Sequence, residues 1–65
     1  MTANNLGTLR YDSDWSQQYV GDAIGVSKMT ISRWENGVEF PNKERQKQLA
    51  DLFNVSVRDL MGLER

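Results

Sequence analysis

Inside the stretch Ser27–Trp34, SKMTISRW, the only charged residues are Lys28 and Arg33, and both are positive. Three hydroxyls, Ser27, Thr30 and Ser32, stand around them with one thioether, Met29. This is chemistry of contact. A guanidinium can hold a guanine edge through two parallel hydrogen bonds, and an ammonium can do the same or meet a phosphate. Hydroxyls donate or accept. A thioether has no donor, so on a groove-facing surface it can only make apolar contact, as with a thymine methyl. Residue type alone leaves two readings open. The stretch is either a face that touches nucleic acid or an ordinary solvated helix face, with Met29 partly buried under the preceding element.

Composition removes most alternatives. The 65 residues contain no histidine and no cysteine. The commonest general base, the commonest metal ligand and every thiolate site are therefore missing. The carboxylates are scattered, there is no glycine-rich phosphate loop, and Asp12 and Asp14 lack a calcium-loop pattern around them. An enzyme is not expected, nor a cofactor or a structural metal. No apolar stretch is long enough to span a membrane, and the N-terminus carries no basic-then-apolar secretory pattern. A cytoplasmic protein is expected. The net charge is -1. Nucleic-acid-binding domains are usually basic, so any binding face must be built by local charge.

The contact residues belong to the run Ser16–Gly37, SQQYVGDAIGVSKMTISRWENG. It reads as two short amphipathic helices joined by a tight turn. In a helix-turn-helix of this layout, one helix props the other into the major groove of DNA. Gly21 stands where the two helices come closest, and Gly25 where the chain turns. Ser16, Ser27, Asn42 and Ser56 each precede a helical pattern as candidate N-caps. Asp59, three residues after Ser56, is a near relative of the capping box. Gly25 and Asn36-Gly37 fit helix C-termini, and Pro41 suits a helix entry.

The spacing predicts five helices: about Thr2 to Asp12, Gln17 to Ile24, Lys28 to Glu35, Lys43 to Phe53 and Val57 to Met61. No period-two alternation persists, so the fold class is all-α, one domain over residues 1–65 with the motif at about 16–37. The expected core is Leu6, Leu9, Val20, Ile24, Ile31, Trp34, Leu49, Leu52 and Phe53. Val55, Val57 and Leu60 close the bottom, and Trp15 seals the gap between helices 1 and 2. Helix 1 is weak on propensity, with Asn4, Asn5, Gly7 and Thr8 in its interior. An Arg10–Glu35 salt bridge is a candidate support.

The ordered set Leu9-Arg10, Ser16-Gln17, Gly21, Gly25-Val26-Ser27, Ile31 and SRWENG (residues 32–37) resembles the phage repressor and Cro-like helix-turn-helix proteins, the XRE family. Pro41, Leu49-Ala50, Phe53, Val55-Ser56-Val57 and Leu60-Met61-Gly62 extend the resemblance over nearly the whole chain. It implies a compact five-helix, lambda-repressor-like DNA-binding domain with the motif at helices 2 and 3. It also implies dimeric binding to half-sites about one helical turn apart. The implied base-contacting residues are Ser27, Lys28, Met29, Thr30, Ser32 and Arg33. Gln17 and Asn36 match phosphate-contacting positions, and Arg10 with Glu35 matches a family ion pair.

The chain departs from the family at three places. The loop after helix 3, usually basic, reads Val38-Glu39-Phe40, and each missing phosphate contact lowers non-specific affinity and its salt dependence. Asp12, Asp14 and Asp22 put negative charge around helices 1 and 2. Lys43 and Gln46 stand where relatives commonly place leucine, so the core is thinner there. Lys43, Arg45 and Lys47 can replace the lost phosphate contacts, Lys43 first among them, or they form a solvated face with a Glu44–Lys47 pair. Phe40 either folds back over helix 4 or joins Val38, Val57 and Arg58 in a partner or dimer surface.

Two functions follow. One is a sequence-specific transcriptional regulator, a Cro-like repressor of a phage or mobile element, acting as a homodimer on double-stranded operator DNA. The other is a protein-binding modulator, an antirepressor or co-repressor in a hetero-complex with a larger phage repressor, that binds DNA weakly alone. The first places the protein with the nucleoid of a bacterial host.

Overall fold

The computed structural model describes residues 4–62, which form five helices: α1 (Leu6–Asp12), α2 (Gln17–Ile24), α3 (Lys28–Glu35), α4 (Lys43–Phe53) and α5 (Val57–Met61). No strand occurs among the described residues. Four of the helices start where a side chain can satisfy an orphan amide. Ser16 Oγ accepts from the Tyr19 amide at 2.9 Å, and Ser27 Oγ from the Thr30 amide at 3.2 Å. Asn42 Oδ1 accepts from the Arg45 amide at 2.9 Å, and Ser56 Oγ from the Asp59 amide at 3.0 Å. Each such cap contributes about 1 kcal/mol.

Among the described residues the core comprises Leu6, Val20, Ile24, Ile31, Trp34, Leu49, Ala50 and Leu60. Leu9, Trp15, Val26, Leu52, Phe53, Val55, Val57 and Met61 pack around it, partly buried. Each fully buried aliphatic side chain contributes roughly 1.5–3 kcal/mol. Trp15 sits in the α1–α2 connection, but its ring lies against Tyr19 at 4.9 Å and Phe53 at 5.3 Å between centroids. It thereby covers the edge between α2 and α4.

Helix α1 corrects the expected boundary. It begins at Leu6, and Asn4 and Asn5 lie outside it; Thr2 lies outside the described residues. Asn4 is buried, accepts from the Leu6 amide at 3.0 Å and donates to the Trp34 carbonyl at 3.1 Å. The Asn5 amide donates to the Leu60 carbonyl at 2.9 Å, and its side chain to the Asp59 carbonyl at 2.7 Å. These two poor helix formers act as a clasp onto α3 and α5. That clasp docks a helix of only seven residues.

Candidate nucleic-acid interface

The site is built on the α2–α3 unit, and its geometry starts at Gly21. An added Cβ there would lie 2.6 Å from the Val26 carbonyl oxygen, so α2 and the turn touch backbone to backbone. The Val26 amide donates back to the Gly21 carbonyl at 2.8 Å. Gly25 ends α2 with φ +82°, the left-handed conformation that glycine adopts without a Cβ clash. Arg45 of α4 ties down the same end, donating to the Ile24 carbonyl at 2.6 Å and to Gln48 Oε1 at 3.0 Å. Arg45 is thus a brace of the turn. The Glu44–Lys47 pair is not formed: the one ion pair within 4 Å among the described residues is Arg10–Glu35.

Helix α3 has two distinct sides. Ile31, Trp34 and Glu35 are buried. Lys28, Met29 and Arg33 are exposed, Met29 by 57%. Their side chains make no hydrogen bond or ion pair with the described residues. Residues 29 and 33, four apart, lie on one row of the helix. The hydroxyls are more engaged. Ser27 Oγ caps the helix and lies 3.1 Å from Thr30 Oγ1. Asn36, exposed at the end of α3, donates to Ser32 Oγ at 3.4 Å.

Behind this row lies a polar network. Glu35 Oε2 accepts from Arg10 Nε at 2.6 Å, and Oε1 accepts from Arg10 Nη2 and Gln17 Nε2, each at 3.2 Å. The side chains of the ion pair are only 9% and 10% exposed. Hydrogen bonding to Glu35 holds the Arg10 guanidinium above its ordinary value, against the opposing effect of burial. Arg10 also donates to the Trp15 carbonyl at 3.0 Å, and Tyr11 lies 4.6 Å from its guanidinium. The end of α1, the start of α2 and the end of α3 thus meet at one carboxylate.

The α3–α4 connection is held to α3 by the Val38 and Glu39 amides, both donating to the Arg33 carbonyl at 3.0 and 3.4 Å. Phe40 does not fold back over α4: it is 61% exposed, and Val38 is 71% exposed. Pro41 beside it is buried, and Gln46 donates to the Pro41 carbonyl at 2.8 Å. Lys43 opens α4 in solvent. Val57 packs partly buried against the core from α5, while Arg58 is exposed. Sequence reasoning missed Asn4, the Trp15 carbonyl and Arg45 as supports of this surface. All three act through tertiary contacts. No helix among the described residues is long and apolar enough to cross a membrane.

Comparison with known proteins places this geometry. The HTH-type transcriptional regulator AnsR of Bacillus subtilis is 37% identical over 65 residues, which is 100% of this chain and 56% of the regulator. The cryptic phage CTXphi transcriptional repressor RstR of Vibrio cholerae is 31% identical over 62 residues, 95% of this chain and 56% of the repressor. The antitoxin PezA of Streptococcus pneumoniae is 31% identical over 65 residues, 100% of this chain and 41% of the antitoxin. The chain thus spans between about two fifths and a little over half the length of these relatives. The helix-turn-helix family model matches residues 8–60, from inside α1 to inside α5. With five helices arranged around an α2–α3 motif, the chain belongs to the XRE-type helix-turn-helix family.

Proposed function

We propose that the protein is a sequence-specific DNA-binding transcriptional regulator that lays α3 in the major groove. The observation that carries this reading is the exposed side of α3, where Lys28 and the Met29–Arg33 row have no polar partner among the described residues while the opposite side is buried. In this reading Arg33 holds a guanine edge, Lys28 takes a base edge or a phosphate, and Ser27, Thr30 and Ser32 make shorter-range base contacts. Gln17 gives one amide hydrogen to Glu35 and has the other left for a phosphate. Asn36 and Lys43 are the other phosphate contacts. A Cro-like repressor, dimeric on a two-part operator, is the form we favour. The phage repressor among the relatives supports it.

The test is selection from randomised duplex DNA at moderate salt, followed by affinity measurement on the recovered sites. A motif with half-sites about one turn apart is expected. Arg33→Ala should relax preference at one position by about 1–3 kcal/mol, and Gln17→Ala should weaken all sites about equally. Unchanged binding in both variants would remove α3 and Gln17 from the interface.

The exposed Val38 and Phe40 favour a second role beside the first. Together with Arg58 and the edge of Val57 they are candidates for a seam with a second copy or with a larger repressor. Mass measured by light scattering, alone and with candidate repressors, distinguishes the two. A hetero-complex abolished by Phe40→Ala would support the modulator role, and purely homotypic behaviour would oppose it.

A further inference from the structure

We propose that Met29 is a specificity-determining residue, and that its thioether recognises the C5-methyl group of one thymine in each half-site. The inference rests on the reading that α3 enters the major groove. Met29 is 57% exposed and is absent from both the core and the hydrophobic residues packed against it. Among the described residues it therefore has no packing role that would explain an apolar side chain between Lys28 and Arg33. The base-pair edges of the major groove present donors, acceptors and one apolar group, the thymine methyl. An unbranched, polarisable side chain with three rotatable bonds can settle on that methyl without demanding one exact approach.

The position also constrains what lies beside the thymine. Met29 and Arg33 are four residues apart, which is about 6 Å along the helix axis. Base pairs succeed one another about every 3.4 Å along a strand. The thymine read by Met29 should lie within about two base pairs of the guanine read by Arg33. The half-site is then read through two groups, a methyl and a guanine edge at fixed separation.

The experiment uses the full chain and the duplexes recovered by selection. Each thymine is replaced in turn by deoxyuridine, which lacks only the methyl, and binding is followed by fluorescence anisotropy. One thymine per half-site is expected to lose about fourfold in affinity, the equivalent of about 0.8 kcal/mol for a buried methyl-sized group. Met29→Ala should bind thymine and uracil duplexes alike, whereas Arg33→Ala should retain the difference. Met29→Gln should move the preference at that position toward adenine, which offers the acceptor and donor a carboxamide needs. Circular dichroism melts of Met29→Ala should match the wild type, since the side chain is exposed. Uracil tolerated at every position would overturn the proposal, as would a thymine–uracil difference that survives unchanged in Met29→Ala. Failure of the folded wild type to enrich any duplex would overturn the DNA-binding reading itself and this inference with it.

Discussion

Gly21→Ala tests whether the α2–turn contact sets the fold. The added methyl would lie 2.6 Å from the Val26 carbonyl oxygen, 3.2 Å from the Ser27 carbonyl carbon and 3.3 Å from its oxygen. All three atoms are backbone, so no rotamer change relieves them. The turn must retreat by about half an ångström or more to restore ordinary contact. Overpacking of this kind costs about 1–3 kcal/mol, while alanine returns up to about 1 kcal/mol of helix propensity. Because the clash is with backbone, we expect a net loss of about 1–2 kcal/mol. A domain of this size carries about 3–10 kcal/mol in all. The thermal midpoint, followed by circular dichroism, should fall by about 5–15 °C.

Gly7→Ala supplies the contrast, because its Cβ would meet the Glu35 side chain at an ordinary 3.5 Å. That variant should melt at or a few degrees above the wild type, since glycine inside a helix is worse than alanine by about 0.5–1 kcal/mol. A Gly21→Ala melt no lower than the wild type, or equal shifts in the two variants, would rule out a backbone clash at Gly21.

Two further outcomes follow from burial and exposure. Glu35→Ala should destabilise by about 3–5 kcal/mol in urea titration, because it leaves the Arg10 guanidinium buried without its carboxylate. The double variant Arg10→Met with Glu35→Leu should recover much of that loss, and strictly additive singles would mean the pair is not coupled. Phe40→Ala should leave the urea midpoint within about 0.5 kcal/mol, and a larger loss would mean the ring is seated after all.

Helices α2 to α5 were legible from the sequence because their start signals are local. Ser16, Ser27, Asn42 and Ser56 each bond an amide three residues on. The end of α2 was legible for the same reason, through Gly25. The start of α1 was not. Asn4 and Asn5 are held by carbonyls 30 and 54 residues away, and no window of neighbouring residues contains that information. Arg45 read as one more surface cation because its acceptor, the Ile24 carbonyl, is reached only after α4 packs on α2. Phe40 was ambiguous because an apolar loop residue is buried only if the surrounding elements leave it a seat, which local sequence does not reveal; here Pro41 is buried and Phe40 is exposed. The polar and apolar sides of α3 could be separated by spacing alone. The Arg10–Glu35 pair was a candidate support of α1 that the family resemblance reinforced, but its burial and its link to Gln17 emerged only from the packing.

The division of labour on α3 bears on how such a chain can diverge. Ile31, Trp34 and Glu35 carry the support of the helix, whereas Lys28, Met29 and Arg33 carry none of it. Exchanging the second group should move stability by no more than about 0.5 kcal/mol. Under the proposed function, descendants of this sequence can therefore acquire new target preferences by single substitutions without first gathering compensating changes in the core. Ser27 is the exception on that side, because its oxygen starts the helix. Substitution at Lys28, Met29 and Arg33 is structurally free, whereas at Ser27 it is tethered to the helix start.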